Sequence, residues 1–176
     1  MVTVYKATEH SGAGAASDAP DTDLRLRVTV LFTTAEATLR ALQMAGDLTR
    51  GLAARIMLAA IQGVPFPLSL NRPSIPVDFL ERHMRDLVSR AHLEFDEVSI
   101  QICICRDREQ GLQQLLPPHS LIVLGGTRRW WSRERRLQRR LARLGHHVVF
   151  VDVESRRSSR PGAVLNQVPG REPMTL

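Results

Sequence analysis

The sequence has few cysteines and no uninterrupted apolar stretch long enough to cross a membrane. Cys103 and Cys105 are its two cysteines, and because they stand two apart in a strand-like segment, their side chains share one face. A disulfide between such neighbours would be strained. We therefore expect two reduced thiols buried under a helix and a cytoplasmic location. The richest apolar region, 52–70, is broken by Arg55 and Pro65, so no membrane insertion is expected.

The motifs of familiar enzymes are also missing. No G-x-S-x-G nucleophile motif occurs, and neither His146 nor His147 has an acid or a nucleophile at a spacing that would make it a catalytic base. His83 and His92 are nine residues apart in a predicted helix, so they do not share a metal ion. We expect neither catalysis nor a bound metal, and a weak ATPase is the one activity left open.

What the chain does contain is enough apolar surface for one folded domain. Of its 176 residues, 43% are hydrophobic and 24% are charged, a composition typical of a soluble globular domain. Residues 1–22 and 155–176 are rich in small and polar residues that bury little surface. The composition therefore predicts a disordered N-terminal segment at 1–22, a domain at 23–154 and a flexible tail at 155–176.

Between these ends, apolar runs alternate with helical patterns. The predicted strands are 25–33, 55–64, 98–105, 120–124 and 147–153. The predicted helices are 35–50, 76–91, 107–116 and 132–144. This alternation predicts a single doubly wound α/β domain whose five-stranded, mainly parallel sheet carries helices on both faces. The pattern alone leaves two strand orders open. Ligands in such sheets bind beyond the carboxyl ends of the strands, where the order reverses.

Three segments of this core form a recognisable set. A first strand runs directly into an Ala- and Leu-rich helix (AEATLRALQMAGDLTRGLAARIMLAAI), a late strand reads SLIVLGG, and the last strand reads HHVVFVDV. With these segments, the span from about 26 to 153 resembles a universal stress protein. The resemblance implies the strand order 3-2-1-4-5, a stress-response role, dimerisation through the last strand and, in many members, ATP binding.

The nucleotide motif of that family is altered in this chain. ATP-binding members carry an acid at the end of the first strand and a G-x2-G-x9-G-[ST] motif after the fourth, whose glycines let phosphates approach the backbone. Here threonines replace the acid, and a Gly-Gly pair is followed by bulky arginines and tryptophans. We expect a non-catalytic ligand-binding module without the usual ATP loop and without a cofactor; ATP at an altered phosphate site is the alternative. The candidate ligand-binding residues are Thr33, Thr34, Gly125, Gly126, Thr127 and Arg128.

An arginine stripe follows the Gly-Gly pair. Its members stand three and four residues apart and therefore share a helical face: Arg133, Arg136, Arg140 and Arg143. A solvated helix surface is the default interpretation, and a docking face for an acidic protein partner or for nucleic acid is the alternative. Nucleic acid is not expected, because only Trp130 and Trp131 are near enough to stack on bases, and we expect one of them to plug the end of the core.

The last predicted strand is apolar on both faces. At the edge of a sheet, such a strand must be covered or paired. A second copy of the chain would pair it through a two-fold axis. We therefore expect a homodimer formed through this strand.

Overall fold

The computed structural model describes residues 2–7, 26–70, 73–93, 98–129 and 131–154. Within these ranges, six strands and four helices follow one another along the chain. They are β1 Val2–Ala7, β2 Leu26–Leu31, α1 Ala35–Thr49, β3 Ala54–Gly63, α2 Val77–Arg90, β4 Val98–Cys105, α3 Arg108–Leu115, β5 Leu121–Gly126, α4 Arg133–Arg143 and β6 His147–Asp152. Every helix and strand predicted from the sequence is present, with small shifts at the ends. No helix in the described ranges has the length and apolar character needed to span a membrane.

All six strands belong to one mainly parallel sheet in the order β1-β4-β3-β2-β5-β6. β2 pairs in parallel with both β3 and β5, and parallel pairing continues outward to β4 and β6. The prediction of five strands is therefore wrong, and the order 3-2-1-4-5 does not describe the whole sheet. If β1 is set aside, the five parallel strands run β4-β3-β2-β5-β6. When β2 is numbered as strand 1, this is the order 3-2-1-4-5.

The additional strand, β1, lies inside the segment that we expected to be disordered. It pairs antiparallel with β4, with Val2 opposite Cys105 and Ala7 opposite Ile100. Its sequence VTVYKA is rich in strand-forming residues, but a composition taken over 1–22 averages it with a long Gly- and Ser-rich stretch. The expectation of disorder is corrected for β1. Residues 8–22 and the tail at 155–176 lie outside the described residues.

Side chains alternate between two buried layers, one on each face of the sheet. On one face, α1 and α2 pack over strand residues such as Val28 and Leu58, with Met84 of α2 fully buried. On the other face, α3 and α4 cover residues such as Ala59 and Ile122. The predicted doubly wound arrangement, with helices on both faces, is confirmed.

The two cysteines are free and buried beneath α3, as expected. A Cβ added to Gly111 of α3 would lie 2.8 Å from the Cys105 sulfur and 3.2 Å from the Cys103 sulfur. The absence of a side chain at Gly111 therefore lets α3 pack directly against the two thiols. Burial, together with the neighbouring Cys105, raises the pKa of Cys103 to about 11, so this thiol stays protonated and unreactive near neutral pH.

Candidate functional site

A cleft of about 670 Å³ opens at the carboxyl edge of the sheet. Its floor is formed by residues 31–34, at and just after the end of β2, and by residues 59–63 at the end of β3. Its walls come from Ser74, Ile75 and the helices. β2 is the strand at which the order reverses, with β3 on one side and β5 on the other. The cleft, here called the carboxyl-edge cleft, thus lies where ligands bind in doubly wound sheets, and its volume is typical of small-molecule sites.

One wall of the carboxyl-edge cleft is strongly cationic. Its lining includes four arginines, here called the cleft arginines: Arg108 of α3 and Arg133, Arg136 and Arg140 of α4. Glu134 is the one carboxylate among the described lining residues. The excess of positive charge would favour an anion in the cleft.

The positions of two cleft arginines add to this charge. Arg108 is the first residue of α3 and Arg133 is the first residue of α4. Because a helix N-terminus already carries a partial positive charge, a cation there is unfavourable. These two arginines therefore lower the stability of the empty protein, and a bound anion would offset that loss of stability.

The other cleft arginines also make contacts inside the protein. Arg136 donates a hydrogen bond to the carbonyl oxygen of Trp131 at 3.3 Å, and Arg140 forms an ion pair with Glu109 of α3. These contacts hold the guanidinium groups at the cleft wall. A ligand would therefore meet cations that are already partly ordered.

Gln62, near the end of β3, is a buried polar residue in this cleft. The residue is 8% exposed, and its Nε2 donates a hydrogen bond to the carbonyl oxygen of Ile75 at 3.2 Å. Its Oε1 is buried and has no hydrogen-bond partner among the described residues. Leaving a buried acceptor unpaired costs about 1–3 kcal/mol. Sequence reasoning missed Gln62; the available signal was one polar residue near the carboxyl end of β3, directly after the apolar run 56–61.

Thr33 and Thr34, both predicted as ligand-binding residues, line the carboxyl-edge cleft. The Thr33 hydroxyl donates to the carbonyl oxygen of Gly125 at 3.0 Å, which ties the segment after β2 to β5. The Thr34 hydroxyl accepts from the backbone N–H of Ala37 at 3.3 Å and caps α1. Both side chains therefore shape the cleft while serving the fold.

Gly125 and Gly126 end β5 rather than opening a loop, and they are buried. A Cβ on Gly125 would lie 1.9 Å from the carbonyl oxygen of Ala37, and one on Gly126 would lie 2.5 Å from the Cβ of Glu134. The two glycines let α1 and α4 approach β5 closely, and neither is among the cleft's lining residues.

The remaining predicted residues after β5 lie away from the cleft lining. The Thr127 carbonyl accepts from the Ser132 hydroxyl at 3.2 Å, and Arg128 is 3.8 Å from a carboxylate oxygen of Asp152. Trp131 is 70% exposed, so it does not plug the core. Trp130 lies outside the described residues.

The arginine stripe of α4 divides between the cleft and the outer surface. Arg133, Arg136 and Arg140 line the cleft, whereas Arg143, in the last turn, does not. All three are exposed, so the default interpretation as a solvated face stands, and three of the four also border the cleft. Arg135, which the sequence did not single out, stacks over the ring of Phe150 at 4.6 Å.

A second cleft, of about 610 Å³, lies at the opposite end of the sheet. It is bounded by the last turn of α1, the start of β3 and residues 91–93, and is here called the amino-edge cleft. Its charged pair, Asp47 and Arg50, is joined at 2.8 Å. No group of three or more His, Cys, Asp or Glu side chains in the described part of the chain is arranged to hold a metal ion.

Fold and site together define an α/β protein with a doubly wound, mainly parallel sheet and a cationic cleft at its switch point. No family model matches the chain, and no curated protein matches it in sequence. Among solved structures, it is similar to a universal stress protein in complex with cAMP, at 16% identity and a TM-score of 0.48, over 73% of this chain and 97% of that one. A similarity at this TM-score establishes neither family nor ligand, so the fold class rests on the strand order and register given above.

Proposed function

We propose that this chain is a non-catalytic module that binds a small anionic ligand in the carboxyl-edge cleft. The observation that carries the proposal is the convergence of the cleft arginines on a space whose described lining has one carboxylate. Gathering like charges destabilises a protein unless a counter-charge is present. A bound anion would supply that counter-charge.

Guanidinium groups favour phosphate and carboxylate ligands. Each can donate two parallel hydrogen bonds to such a group, and these charge-assisted bonds are about twice as strong as neutral ones. Four arginines in a cleft of about 670 Å³ suit a phosphorylated small molecule. A regulatory module could respond to the level of such a ligand.

ATP in an altered pose is the alternative within the same proposal. The side-chain carbons of Glu134 occupy the space beside Gly126, so phosphates are kept from the backbone there. The phosphates of ATP would then contact the cleft arginines instead of a glycine loop.

The lining also supports a role without catalysis. Its hydroxyl groups are those of Thr33, Thr34 and Ser74, and its described part contains no His, Cys or Asp. The Thr33 hydroxyl already donates its hydrogen to the Gly125 carbonyl, so it is not poised as a nucleophile, and Glu134 is the one carboxylate in that lining. Because three arginines of the α4 stripe line the cleft, a small anion is favoured over docking of an acidic partner or nucleic acid.

The test is calorimetric titration of the protein with ATP, AMP and inorganic phosphate, with adenosine as the uncharged control. We expect saturable binding of at least one phosphorylated probe, no binding of adenosine at the same concentration, and affinity that falls steeply as salt is raised. Phosphate release is assayed in the same samples and should not exceed the rate without protein. Absence of binding by all phosphorylated probes, or equal binding of adenosine and AMP, would overturn the proposal.

The proposed assembly is a homodimer formed through β6. This strand lies at the end of the sheet, its apolar residues from Val148 to Val151 are half-buried, and its outer edge offers backbone groups that a second copy could pair. Sedimentation at tens of micromolar should give twice the chain mass of 19.7 kDa. A single monomeric species would exclude the dimer without affecting the ligand proposal.

A further inference from the structure

We infer that the ligand of the carboxyl-edge cleft carries, besides its anionic group, a neutral N–H or O–H donor that pairs with Oε1 of Gln62. The inference rests on the proposed function, because it assigns a second contact to the same ligand. It makes Gln62 a specificity-determining residue that selects among small anions.

One of the two polar atoms of the Gln62 amide already has a hydrogen-bond partner, and the other does not. Nε2 donates to the Ile75 carbonyl at 3.2 Å, which fixes the plane of the amide. Oε1 is then an acceptor that is buried and unpaired among the described residues. A carbonyl oxygen accepts but cannot donate, so the missing partner must bring the hydrogen.

The neighbours of Gln62 show that this position could have been apolar. Ala60 and Val64, two residues away on either side, are 2% and 1% exposed and belong to the same core cluster. A side chain such as Met would fill the position without an unpaired acceptor, at the loss of the hydrogen bond to the Ile75 carbonyl. The unpaired Oε1 costs stability in the empty protein, and a ligand donor would offset that cost.

One other buried side-chain atom lacks a partner in the described part of the chain, the hydroxyl oxygen of Thr29. Thr29 lies within β2, opposite Met57 and Ile122 of the flanking strands, and does not line the cleft. Among the described residues, Gln62 alone combines a missing partner with a position in the cleft lining.

The surroundings of Gln62 differ from those of the cleft arginines. Phe32, Ile75 and Leu80 line the cleft together with Gln62, and Leu80 is 7% exposed. The cleft thus combines an apolar part containing one acceptor with a cationic part on α3 and α4. This division fits a small phosphorylated or carboxylated molecule whose apolar portion carries an amino or hydroxyl group.

The experiment is a double-mutant cycle between the ligand donor and Gln62. Wild type and Gln62→Met are titrated with two matched pairs of probes: AMP against purine riboside 5′-monophosphate, and 4-aminophenyl phosphate against phenyl phosphate. In at least one pair, wild type should bind the amino compound roughly three- to tenfold more tightly, the range expected of one neutral hydrogen bond. Gln62→Met should bind both members of that pair equally.

Gln62→Met also loses the hydrogen bond from Nε2 to the Ile75 carbonyl, so the melting temperature of the unliganded variant reflects both changes together. Thermal melts therefore serve to show that the variant is folded before its affinities are compared with those of wild type.

The outcomes separate this inference from the proposed function. If the members of each pair bind wild type with equal affinity, or if the preference persists in Gln62→Met, the donor contact is wrong and the anion site stands. If no phosphorylated probe binds wild type, the proposed function fails, and the inference fails with it.

Discussion

The two clefts at opposite ends of the sheet are nearly equal in size but differ in chemistry. The carboxyl-edge cleft, about 670 Å³, gathers the cleft arginines and the unpaired acceptor of Gln62. In the amino-edge cleft, about 610 Å³, Asp47 and Arg50 pair with each other, and the Thr49 hydroxyl donates to the Ala45 carbonyl at 2.9 Å. Volume therefore does not distinguish the candidate site, whereas its excess of positive charge and its unpaired polar atom do.

The largest effect should come from one substitution made at each end of the sheet. Gly125→Ala places a Cβ 1.9 Å from the backbone oxygen of Ala37, and Gly46→Ala, in the amino-edge cleft, meets only the end of the Leu93 side chain at 2.7 Å. Because a backbone contact cannot relax cheaply, Gly125→Ala should cost about 3 kcal/mol or more of unfolding free energy. For Gly46→Ala, gained helix propensity of about 1 kcal/mol offsets the crowding. Urea denaturation followed by circular dichroism measures both values, and equal losses would contradict the packing described for β5.

Reversing the charge of Arg133 should change stability and ligand affinity in opposite directions. Arg133→Glu replaces a cation at the first residue of α4 by an anion, so stability should rise by about 0.3–1 kcal/mol. The same change should weaken binding of AMP at least about tenfold, since a charge-assisted hydrogen bond contributes roughly 1.5–3 kcal/mol.

The matched control for that reversal is Arg50→Glu, at the end of α1 in the amino-edge cleft. It breaks the pair with Asp47 and should lower stability slightly while leaving AMP affinity unchanged. For each variant, calorimetry gives the affinity for AMP and a thermal melt gives the stability. If Arg50→Glu weakened binding as much as Arg133→Glu, the assignment of the ligand to the carboxyl-edge cleft would be wrong.

The smallest effect concerns the amino edge, where His146 precedes β6. Burial, and then the nearby His119, holds the pKa of His146 below its ordinary value, and its Nδ1 accepts from the Ser120 N–H at 3.3 Å. Because the unfolded chain binds the proton more readily, this residue's contribution to stability is present above about pH 6.5 and is lost as the pH falls below it.

Replacing His146 by Gln keeps an acceptor for Ser120 but removes the titration. The melting temperature of His146→Gln should therefore fall less than that of wild type between pH 7.5 and 5. Parallel curves for the two proteins would show that His146 does not contribute to the acid sensitivity.

Much of the fold follows from local patterns in the sequence. Alternating apolar residues mark β4. Asp107 and Ser132, at the start of two predicted helices, cap α3 and α4 by accepting from the Glu109 and Arg135 amides. β1 was missed because its four strand-forming residues, in VTVY, adjoin a long polar stretch, and its pairing with β4 spans about a hundred residues of chain. Such distant pairing leaves no local signal.

The candidate site, like the fold, could be predicted only where it depends on local sequence patterns. Thr33 and Thr34, which we expected to bind a ligand, line the cleft because the end of a strand can be read from the sequence. The arginine stripe was predicted only as a solvated face or a docking face. Gln62 was not identified, since the absence of a partner for Oε1 depends on which distant residues surround it. The role of Gly125 was also missed, because its contact with Ala37 arises only when α1 packs on β5.

The most direct test of the carboxyl-edge cleft as the ligand site is a map of backbone amide shifts in ¹⁵N-labelled protein during titration with AMP. The structure predicts saturable shifts at Thr33, Gly63 and Glu134, which line that cleft, with no change at Gly46 or Gly51 of the amino-edge cleft. Shifts confined to Gly46 and Gly51, with the carboxyl edge unchanged, would contradict the central claim.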